Sequence, residues 1–278
     1  MLICSIERHD DMNKKLYYAL MTILAVIVIG CAVYLGVYYL SNYMADKNQQ
    51  ELSDYIDENM EDSAEYNGDE DGLHIQRKYK QIHDLNQDFA GWLTIPDTKI
   101  DYAVMMNTEE NEYYLRRDFH KKDSMAGMLF IDNQCDIMTP GTNIIIYGHN
   151  MKAGTMFHDL FKYEEQSFYE AHRYITFNSI YRNGTYEVIA AFYTQIERMD
   201  SDNYRYYQFF EAENAQEYDE FVDYVRSKTP YDTADAVFGD ELLTLSTCSY
   251  HTDNGRYVVV AKRIADDQKE KSARVSDH

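Results

Sequence analysis

The chain contains few prolines and glycines, which interrupt secondary structure, and few cysteines, which cross-link a fold. Its 278 residues include 3 prolines, 12 glycines, 1 tryptophan and 4 cysteines. Four cysteines are too few for a disulfide-stapled small domain, and neither a CxxC motif nor the Cys/His spacing of a structural zinc site occurs. The sequence therefore predicts no metal site and no cofactor.

Positive charge is scarce as well. Lysine and arginine number 26 against 48 aspartates and glutamates, which gives a net charge of −22. No basic stripe is present, so the composition excludes nucleic acid as a partner. The one basic cluster, RRDFHKK at 116–122, is interpreted as a surface loop, with a contact to an anionic envelope polymer as the alternative.

Charged residues are missing altogether between Lys15 and Asp46. Within this gap the run YYALMTILAVIVIGCAVYLGVYYL, at about 1.5 Å per helical residue, is long enough to cross a bilayer about 30 Å thick. The pattern predicts a transmembrane anchor at 16–43 that contacts membrane lipid. A cleaved signal peptide is the alternative, although its apolar run would be shorter and no small-x-small cleavage site follows.

The charges around the anchor predict its orientation and the regions that flank it. Arg8 and two lysines precede the apolar run, which favours a cytoplasmic location for 1–15 and an extracellular location for the rest. Residues 44–72 carry eleven acidic residues and one lysine, so they are predicted to form a solvated stalk. A folded domain at 73–264 and a polar tail at 265–278 follow.

Short β-type runs dominate the folded domain. Apolar residues three to four positions apart first predict a helix that ends at Gly91. Runs of β-branched and aromatic residues, from WLTIP to RYVVVAKRI, then predict strands, and an amphipathic helix at 212–228 is inserted before the last two strands. The predicted fold is mainly β: a closed, mostly antiparallel barrel, which hides the strand edges, with peripheral helices.

The stretch TLSTCSYHTDNGRYVVV carries the first candidate for chemistry. Cys248 is the last residue of a predicted strand. Its side chain lies on the less apolar face of that strand, and Leu245 and Thr247 lie on the other face. The loop SYHTDNG leads into the next strand and brings Arg256 roughly opposite Cys248. A guanidinium in that place favours a thiolate and can bind an oxyanion that forms on an attacked carbonyl.

A cysteine that transfers acyl groups also needs a proton carrier. His149 follows the buried run TNIIIYG, where a rigid strand meets a loop. His251 competes because it lies three residues after Cys248, but it belongs to a loop that looks flexible. An ordinary loop histidine is the alternative for each, and the residues alone do not show which one touches the cysteine.

Several separate segments resemble the class B sortases. TLSTC with the downstream NGRYVVVAKR is similar to the family's cysteine motif and arginine, and NQDFAGWLTIPDTKIDYAVM, YYLRRDF with AGMLFID, and YGHNMKAGTMFHDL follow the family's order. The resemblance covers about 75–264, and the apolar segment at the N-terminus also fits it. One departure is Ala103, which stands where the family pattern has proline.

The resemblance implies a membrane-anchored cysteine transpeptidase, which is also a thiol protease and a hydrolase. Cys248 would attack the threonine carbonyl of a C-terminal sorting signal on a secreted protein and form a thioester. His149 would act as general acid and base, and Arg256 would position the substrate and its oxyanion. The acceptor would be an amine of cell-wall peptidoglycan, at the membrane of a Gram-positive type of envelope.

The resemblance also implies a substrate wall in the insertion before the cysteine strand. Tyr204, Tyr206 and Tyr207 are its candidates. Ser246 and Thr247 precede the nucleophile and either line the pocket or only pack in the strand. In the following loop, Asp253 either orients a histidine or touches substrate, or simply caps its own turn.

Two other functions stay open from the sequence. In a non-catalytic surface domain, Cys135 and Cys248 would form a disulfide and Arg256 would be structural; otherwise Cys135 is a free thiol without an assigned role. In a hydrolytic cysteine protease, water would replace the amine acceptor. The sorting motif, the acceptor amine, the client proteins and the oligomeric state are not determined by the sequence.

Overall fold

The computed structural model of the chain describes residues 2–60, 74–198 and 203–264. The predicted tail and the later part of the predicted stalk, from 61 to 72, lie outside the described residues. The chain divides into two units, Met1–Met44 and Ala45–His278.

The first unit is helical. It belongs to helix α1, Leu2–Met60. Within that helix the 27 residues Lys14–Leu40 have a mean hydropathy of 2.6, and their side chains are exposed except for the half-buried Tyr38. By length and composition this segment can cross a membrane, as the absence of charge predicts.

The described part of the second unit contains eight strands. They are β1 Phe89–Thr94, β2 Asp101–Met105, β3 Leu129–Ile131, β4 Asn143–Gly148, β5 Tyr174–Ser179, β6 Thr185–Gln195, β7 Leu242–Cys248 and β8 Gly255–Arg263. They close into a barrel in the order β1-β2-β3-β4-β7-β8-β6-β5. Only the pairs β2/β3 and β4/β7 are parallel, so the prediction of a mainly β, mostly antiparallel barrel is confirmed.

Short helices lie between the strands. The α-helices of this unit are α2 Arg77–Leu85, α3 Gln166–Ala171 and α4 Ala215–Ser227, together with the end of α1. Among the described residues, three 3-10 helices span Tyr113–Arg116, Phe157–Glu164 and Tyr206–Gln208. None of the three was predicted, because segments this short have no apolar repeat that distinguishes them from loops.

The predicted end of the first helix of the domain is wrong. Helix α2 ends at Leu85, and Gly91 lies inside β1. Asn86 leaves helical geometry with φ −149°, and its side chain donates to the hydroxyl of Tyr114 and to the carbonyl of Phe119 at 2.9 and 2.7 Å. These tertiary hydrogen bonds turn the chain from helix to strand before the apolar spacing ends.

The inserted helix is confirmed, with a later start. Asn214 caps α4 by accepting a hydrogen bond from the backbone N–H of Glu217 at 3.1 Å, so residues 212–214 precede the helix. The predicted apolar face is buried; it consists of Tyr218, Phe221, Val222 and Val225. This face covers the outside of the barrel wall formed by β6, β7 and β8, where it packs with Phe192, Val258 and Val260.

The first residues of the predicted stalk are helical, because α1 continues to Met60. Leu52 and Gln49 are buried against the barrel. The side-chain oxygen of Gln49 accepts a hydrogen bond from the backbone N–H of Ala103 at 3.2 Å. A proline at 103 would have no N–H to donate, so the hydrogen bond to Gln49 requires the departure from the family pattern at this position.

Candidate active site

Strand register brings the sequence candidates together. β4 and β7 run parallel, and their last paired residues are Gly148 and Thr247. His149 and Cys248 come next on these two neighbouring strands. In the antiparallel pair β7/β8, Cys248 is the direct partner of Arg256. The barrel therefore places His149, Cys248 and Arg256 at the neighbouring ends of three adjacent strands, with His149 directly after β4.

The cysteine and the arginine share the outer face of the barrel wall. Leu243 and Leu245 of β7 and Tyr257 of β8 point into the barrel core. Because strand side chains alternate between faces, Cys248 and Arg256 point outward, as the sequence pattern of β7 predicted. Both side chains are half-buried, so a peptide can reach them from solvent.

Gly148 is required for the approach to this site. A Cβ at this position would lie 2.3 Å from Cδ2 of Leu129 and 2.7 Å from Cδ2 of Phe157. A larger residue would have to displace these side chains, so glycine lets β4 end close to them, directly before His149.

His149 is oriented by a backbone carbonyl. Its Nε2 lies 2.8 Å from the carbonyl oxygen of Leu115, at the end of a 3-10 helix. A carbonyl accepts only, so Nε2 carries the proton and Nδ1 of the neutral ring has the free lone pair. Burial lowers the pKa of His149, the bond to Leu115 opposes this effect, and the positive charge of Arg116 lowers the pKa further. The ring is therefore neutral near pH 7.

A buried hydrogen bond forms the floor beneath the nucleophile. Ser246 points to the same face as Cys248, and its Oγ lies 2.7 Å from the hydroxyl of Tyr206. Burial raises the pKa of Tyr206, so this hydroxyl stays protonated. Thr247 lies on the opposite face, and its hydroxyl donates to the carbonyl of Gly148 at 2.7 Å. Thr247 thus joins β7 to β4 and does not line an outer pocket.

The other two candidate tyrosines flank the fully buried Tyr206. Tyr204 is half-buried and stacks on Tyr224 of α4, with 4.7 Å between ring centroids. Tyr207 is also half-buried, and its hydroxyl donates to the carbonyl of Glu197 at 3.3 Å. Since β6 carries Thr194 next to Arg256, the tyrosines and α4 form one side of the outer face that holds the cysteine.

The loop after Cys248 holds its histidine away from the cysteine. Nδ1 of His251 lies 2.9 Å from Oγ of Ser249, and the ring meets Tyr193 edge to face at 4.7 Å. Tyr193 is paired with Tyr257, which faces the barrel interior, so His251 lies on the face opposite to Arg256. Asp253 is exposed, and no hydrogen bond or ion pair of its side chain is found among the described residues.

Arg256 uses part of its hydrogen-bonding capacity on its own turn. Its Nη1 donates to the carbonyl oxygen of Gly255 at 3.0 Å and lies 3.4 Å from that of Asn254. A guanidinium has five N–H donors. The remaining donors are therefore free to bind a substrate carbonyl.

Cys135 lies elsewhere in the barrel. It is buried, and its Sγ lies between the carbonyl oxygen of Asn143 at 3.7 Å and the N–H of Ile145 at 3.4 Å. Burial raises the pKa of this thiol to about 12. Cys135 and Cys248 are both free cysteines in the structure.

In the part of the chain that the structure describes, no group of three or more histidine, cysteine and acidic side chains could hold a metal.

Two contributors to the site were not found from the sequence. The carbonyl of Leu115 has no side-chain signature, and its role depends on a 3-10 helix that was not predicted. Asn150 donates from Nδ2 to the carbonyl oxygen of Cys248 at 3.4 Å. Its position directly after His149 was the only available signal.

Comparison with known proteins identifies the architecture. The family model of the Sortase domain matches residues 93–264. Sortase B of Staphylococcus aureus is 30% identical over 256 residues, which cover 91% of this chain and 99% of the relative. Sortase B of Listeria monocytogenes is 33% identical over 193 residues, which cover 68% of this chain and 75% of the relative.

Solved structures agree with the sequence comparison. A Staphylococcus aureus sortase B–substrate complex superimposes with a TM-score of 0.70 at 27% identity, covering 82% of this chain and 99% of the other. A Bacillus anthracis protein similar to sortase B gives a TM-score of 0.68 at 30% identity, covering 80% and 96%. The chain belongs to the sortase family. Within that family it belongs to class B, and it is a sortase-type cysteine transpeptidase.

Proposed function

We propose that this transpeptidase cleaves a C-terminal sorting signal after threonine, forms a thioester on Cys248 and transfers the protein to an amine of cell-wall peptidoglycan. The observation that carries the proposal is the register of β4, β7 and β8, which aligns His149, Cys248 and Arg256 at neighbouring strand ends. A nucleophile, a proton carrier and a fixed positive charge are the groups that acyl transfer by a cysteine requires.

In the acylation step, Sγ of Cys248 bonds to the threonine carbonyl carbon while its proton passes to Nδ1 of His149. The lowered pKa of His149 supports this role, because the ring is neutral and can accept a proton. The tetrahedral intermediate then collapses, and the carbon–nitrogen bond breaks. His149 returns the proton to the departing amine, which leaves a thioester on Cys248.

The second half of the reaction reverses the proton transfers. The incoming peptidoglycan amine attacks the thioester carbon and gives a proton to Nδ1 of His149. The carbon–sulfur bond breaks, the proton returns to Cys248, and an amide joins the protein to the acceptor. Arg256 donates hydrogen bonds to the oxyanion in both halves, a role supported by its position as the direct cross-strand partner of Cys248.

The sorting signal is proposed to bind along the outer face of the barrel, between β7 and the inserted segment. Ser246 and Tyr206 would support its floor, and Tyr204 and Tyr207 its side. We propose that Asp253 lies at the solvent edge of this binding site, in the loop that follows Cys248. The solved complex of the Staphylococcus aureus relative contains substrate, which supports a peptide-binding role for this fold.

We also propose the arrangement of the chain in the envelope. Residues 16–43 cross the cell membrane and contact lipid, 1–15 lie in the cytoplasm, and 44–72 link the membrane to an extracellular catalytic domain at 73–264. The helix Lys14–Leu40 supports the anchor by its length and hydropathy. Protease digestion of intact protoplasts checks this topology, since the catalytic domain should be digested from outside.

A mass-spectrometric trapping experiment tests the reaction. The full-length chain in detergent is incubated with a panel of sorting-signal peptides and searched for an acyl adduct on Cys248. The adduct should vanish in Cys248→Ala and persist in the matched control Cys135→Ala. Turnover should be strongly reduced in His149→Ala and Arg256→Ala, because each loses one of the proposed steps. Wild-type turnover in Arg256→Ala would remove that residue from the mechanism.

The products separate the remaining alternatives. With a peptide and an amine acceptor, a transpeptidase yields ligated peptide well beyond hydrolysed peptide, whereas a hydrolytic protease yields mainly the free acid. A quantitative bond between Cys135 and Cys248 in peptide maps of the native chain would refute the enzymatic role of Cys248.

A further inference from the structure

Asn150 lies where the pairing of two central strands stops. β4 and β7 pair as far as Gly148 and Thr247. Beyond that point, the side-chain Nδ2 of Asn150 donates to the carbonyl oxygen of Cys248 at 3.4 Å. The amide therefore supplies a hydrogen bond in the place where a longer β4 strand would have supplied one.

The direction of this carbonyl follows from the antiparallel ladder. The backbone N–H of Ser249 donates to the carbonyl of Gly255 at 2.9 Å, so Ser249 is hydrogen-bonded to β8. Hydrogen-bonded and non-hydrogen-bonded positions alternate along an antiparallel pair. The carbonyl of Cys248 therefore points away from β8 and toward the segment that carries His149 and Asn150.

The other end of the Asn150 amide is fixed as well. Its Oδ1 lies 2.9 Å from Nδ1 of His158, which belongs to the 3-10 helix Phe157–Glu164. An amide oxygen accepts only, so Nδ1 of His158 is the donor. With one end on Cys248 and the other on His158, the orientation of the amide is determined.

The backbone around Asn150 is closed into a loop. Asn150 pairs with Met156 in an isolated antiparallel bridge, and the N–H of Phe157 donates to the carbonyl of His149 at 2.9 Å. Met156 has a positive φ of 58°, which is uncommon for a residue with a long side chain. These contacts hold the residues that follow β4 in one arrangement, so the side-chain amide of Asn150 extends from a fixed backbone.

We propose that Asn150 is a positioning residue for the transpeptidation reaction: its amide ties the backbone of the nucleophile to the loop that carries the proton carrier. The proposal rests on the roles of Cys248 and His149 given under Proposed function. Asn150 touches the backbone of Cys248 and acts on the reaction through the spacing of Sγ and the imidazole. Its loss lowers the rate of the chemical steps and leaves substrate binding unchanged.

Three variants of the full-length chain in detergent test this inference with a sorting-signal peptide. Asn150→Ala removes both hydrogen bonds, Asn150→Asp keeps an acceptor for His158 but has no donor for Cys248, and His158→Ala removes only the distal bond. We expect kcat to fall about five- to tenfold in both Asn150 variants, which is the effect of about 1 kcal/mol, with KM within about twofold. His158→Ala should lose less than about twofold.

The outcomes are separable. Asn150→Asp is nearly isosteric, so it decides the question if a lower melting temperature shows that Asn150→Ala folds poorly. Wild-type kcat in Asn150→Asp, a rise in KM alone, or an equal loss in His158→Ala would overturn the inference. Wild-type turnover in Cys248→Ala would refute the proposed function, and this inference with it.

Discussion

The buried hydrogen bond beneath the nucleophile gives a quantitative prediction. The hydroxyl of Tyr206 and Oγ of Ser246 are 2.7 Å apart, and the two residues are 0% and 1% exposed. Tyr206 belongs to the segment inserted between β6 and β7, so this bond joins the insertion to the strand of Cys248. If one hydroxyl is removed, the other remains buried without this partner.

The size of the effect follows from that asymmetry. Tyr206→Phe or Ser246→Ala alone should lower the free energy of unfolding by about 1–3 kcal/mol, the usual cost of leaving a buried hydroxyl unsatisfied. The double variant removes both hydroxyls, so its loss should be smaller than the sum of the two single losses. The expected coupling energy is about 1 kcal/mol.

Denaturation measures this coupling. Urea unfolding of the four proteins in detergent gives the free energies, and thermal melting gives an independent check at about 2–4 °C per kcal/mol for a domain of this size. Tyr207→Phe is the matched control, because its hydroxyl is only half-buried and bonds to a carbonyl at 3.3 Å. That change should stay within about 0.5 kcal/mol.

A purely additive double variant refutes this reasoning. If the losses of Tyr206→Phe and Ser246→Ala sum to the loss of the double variant within about 0.3 kcal/mol, the two hydroxyls are not coupled. The insertion would then be held on the barrel without a contribution from this pair, by the apolar face of α4 and by hydrogen bonds such as that from Nδ2 of Asn143 to the carbonyl oxygen of Phe209.

Three further predictions concern pH, the end of α1 and the second cysteine. Arg116→Gln removes a positive charge that lowers the pKa of His149, so the pKa of His149 should rise. Since the neutral ring is the proton acceptor, the acid limb of the pH profile of kcat/KM should move to higher pH. Ala103→Pro removes the N–H that donates to Gln49 and leaves a buried amide oxygen unpaired. The cost of about 1–3 kcal/mol should lower the melting temperature by about 2–12 °C. Cys135, with its pKa raised to about 12, should resist iodoacetamide in the folded chain and react after unfolding, as mass spectrometry would show.

Matched variants test the cause of each effect. Lys122→Gln removes another exposed positive charge of the basic cluster 116–122, and an equal shift of the acid limb would contradict a specific effect of Arg116. Ala103→Gly keeps the N–H, so it should melt above Ala103→Pro. Labelling of native Cys135 as fast as that of Cys248 would show that the buried thiol is accessible.

The strands were predictable because their signal is local. Runs such as TNIIIYG and TYEVIAAFYTQ have the β-branched content and length of buried strands, and each became a strand of the barrel. The apolar face of α4 was equally clear from its spacing. In contrast, the end of α2 depends on contacts of Asn86 with Tyr114 and Phe119, which lie too far along the chain for any periodicity to show.

The candidate site was likewise predictable from the sequence only in part. Cys248 and Arg256 face each other across one hairpin, so alternation and loop length determined their pairing from the sequence alone, and the family motif added His149. Only the tertiary structure decided how His149 reaches the cysteine, through the parallel pairing of β4 with β7. Parallel strands are joined by long connections, so their register leaves no local pattern in the sequence. The same pairing, ending at Gly148 and Thr247, put the amide of Asn150 on the carbonyl of Cys248.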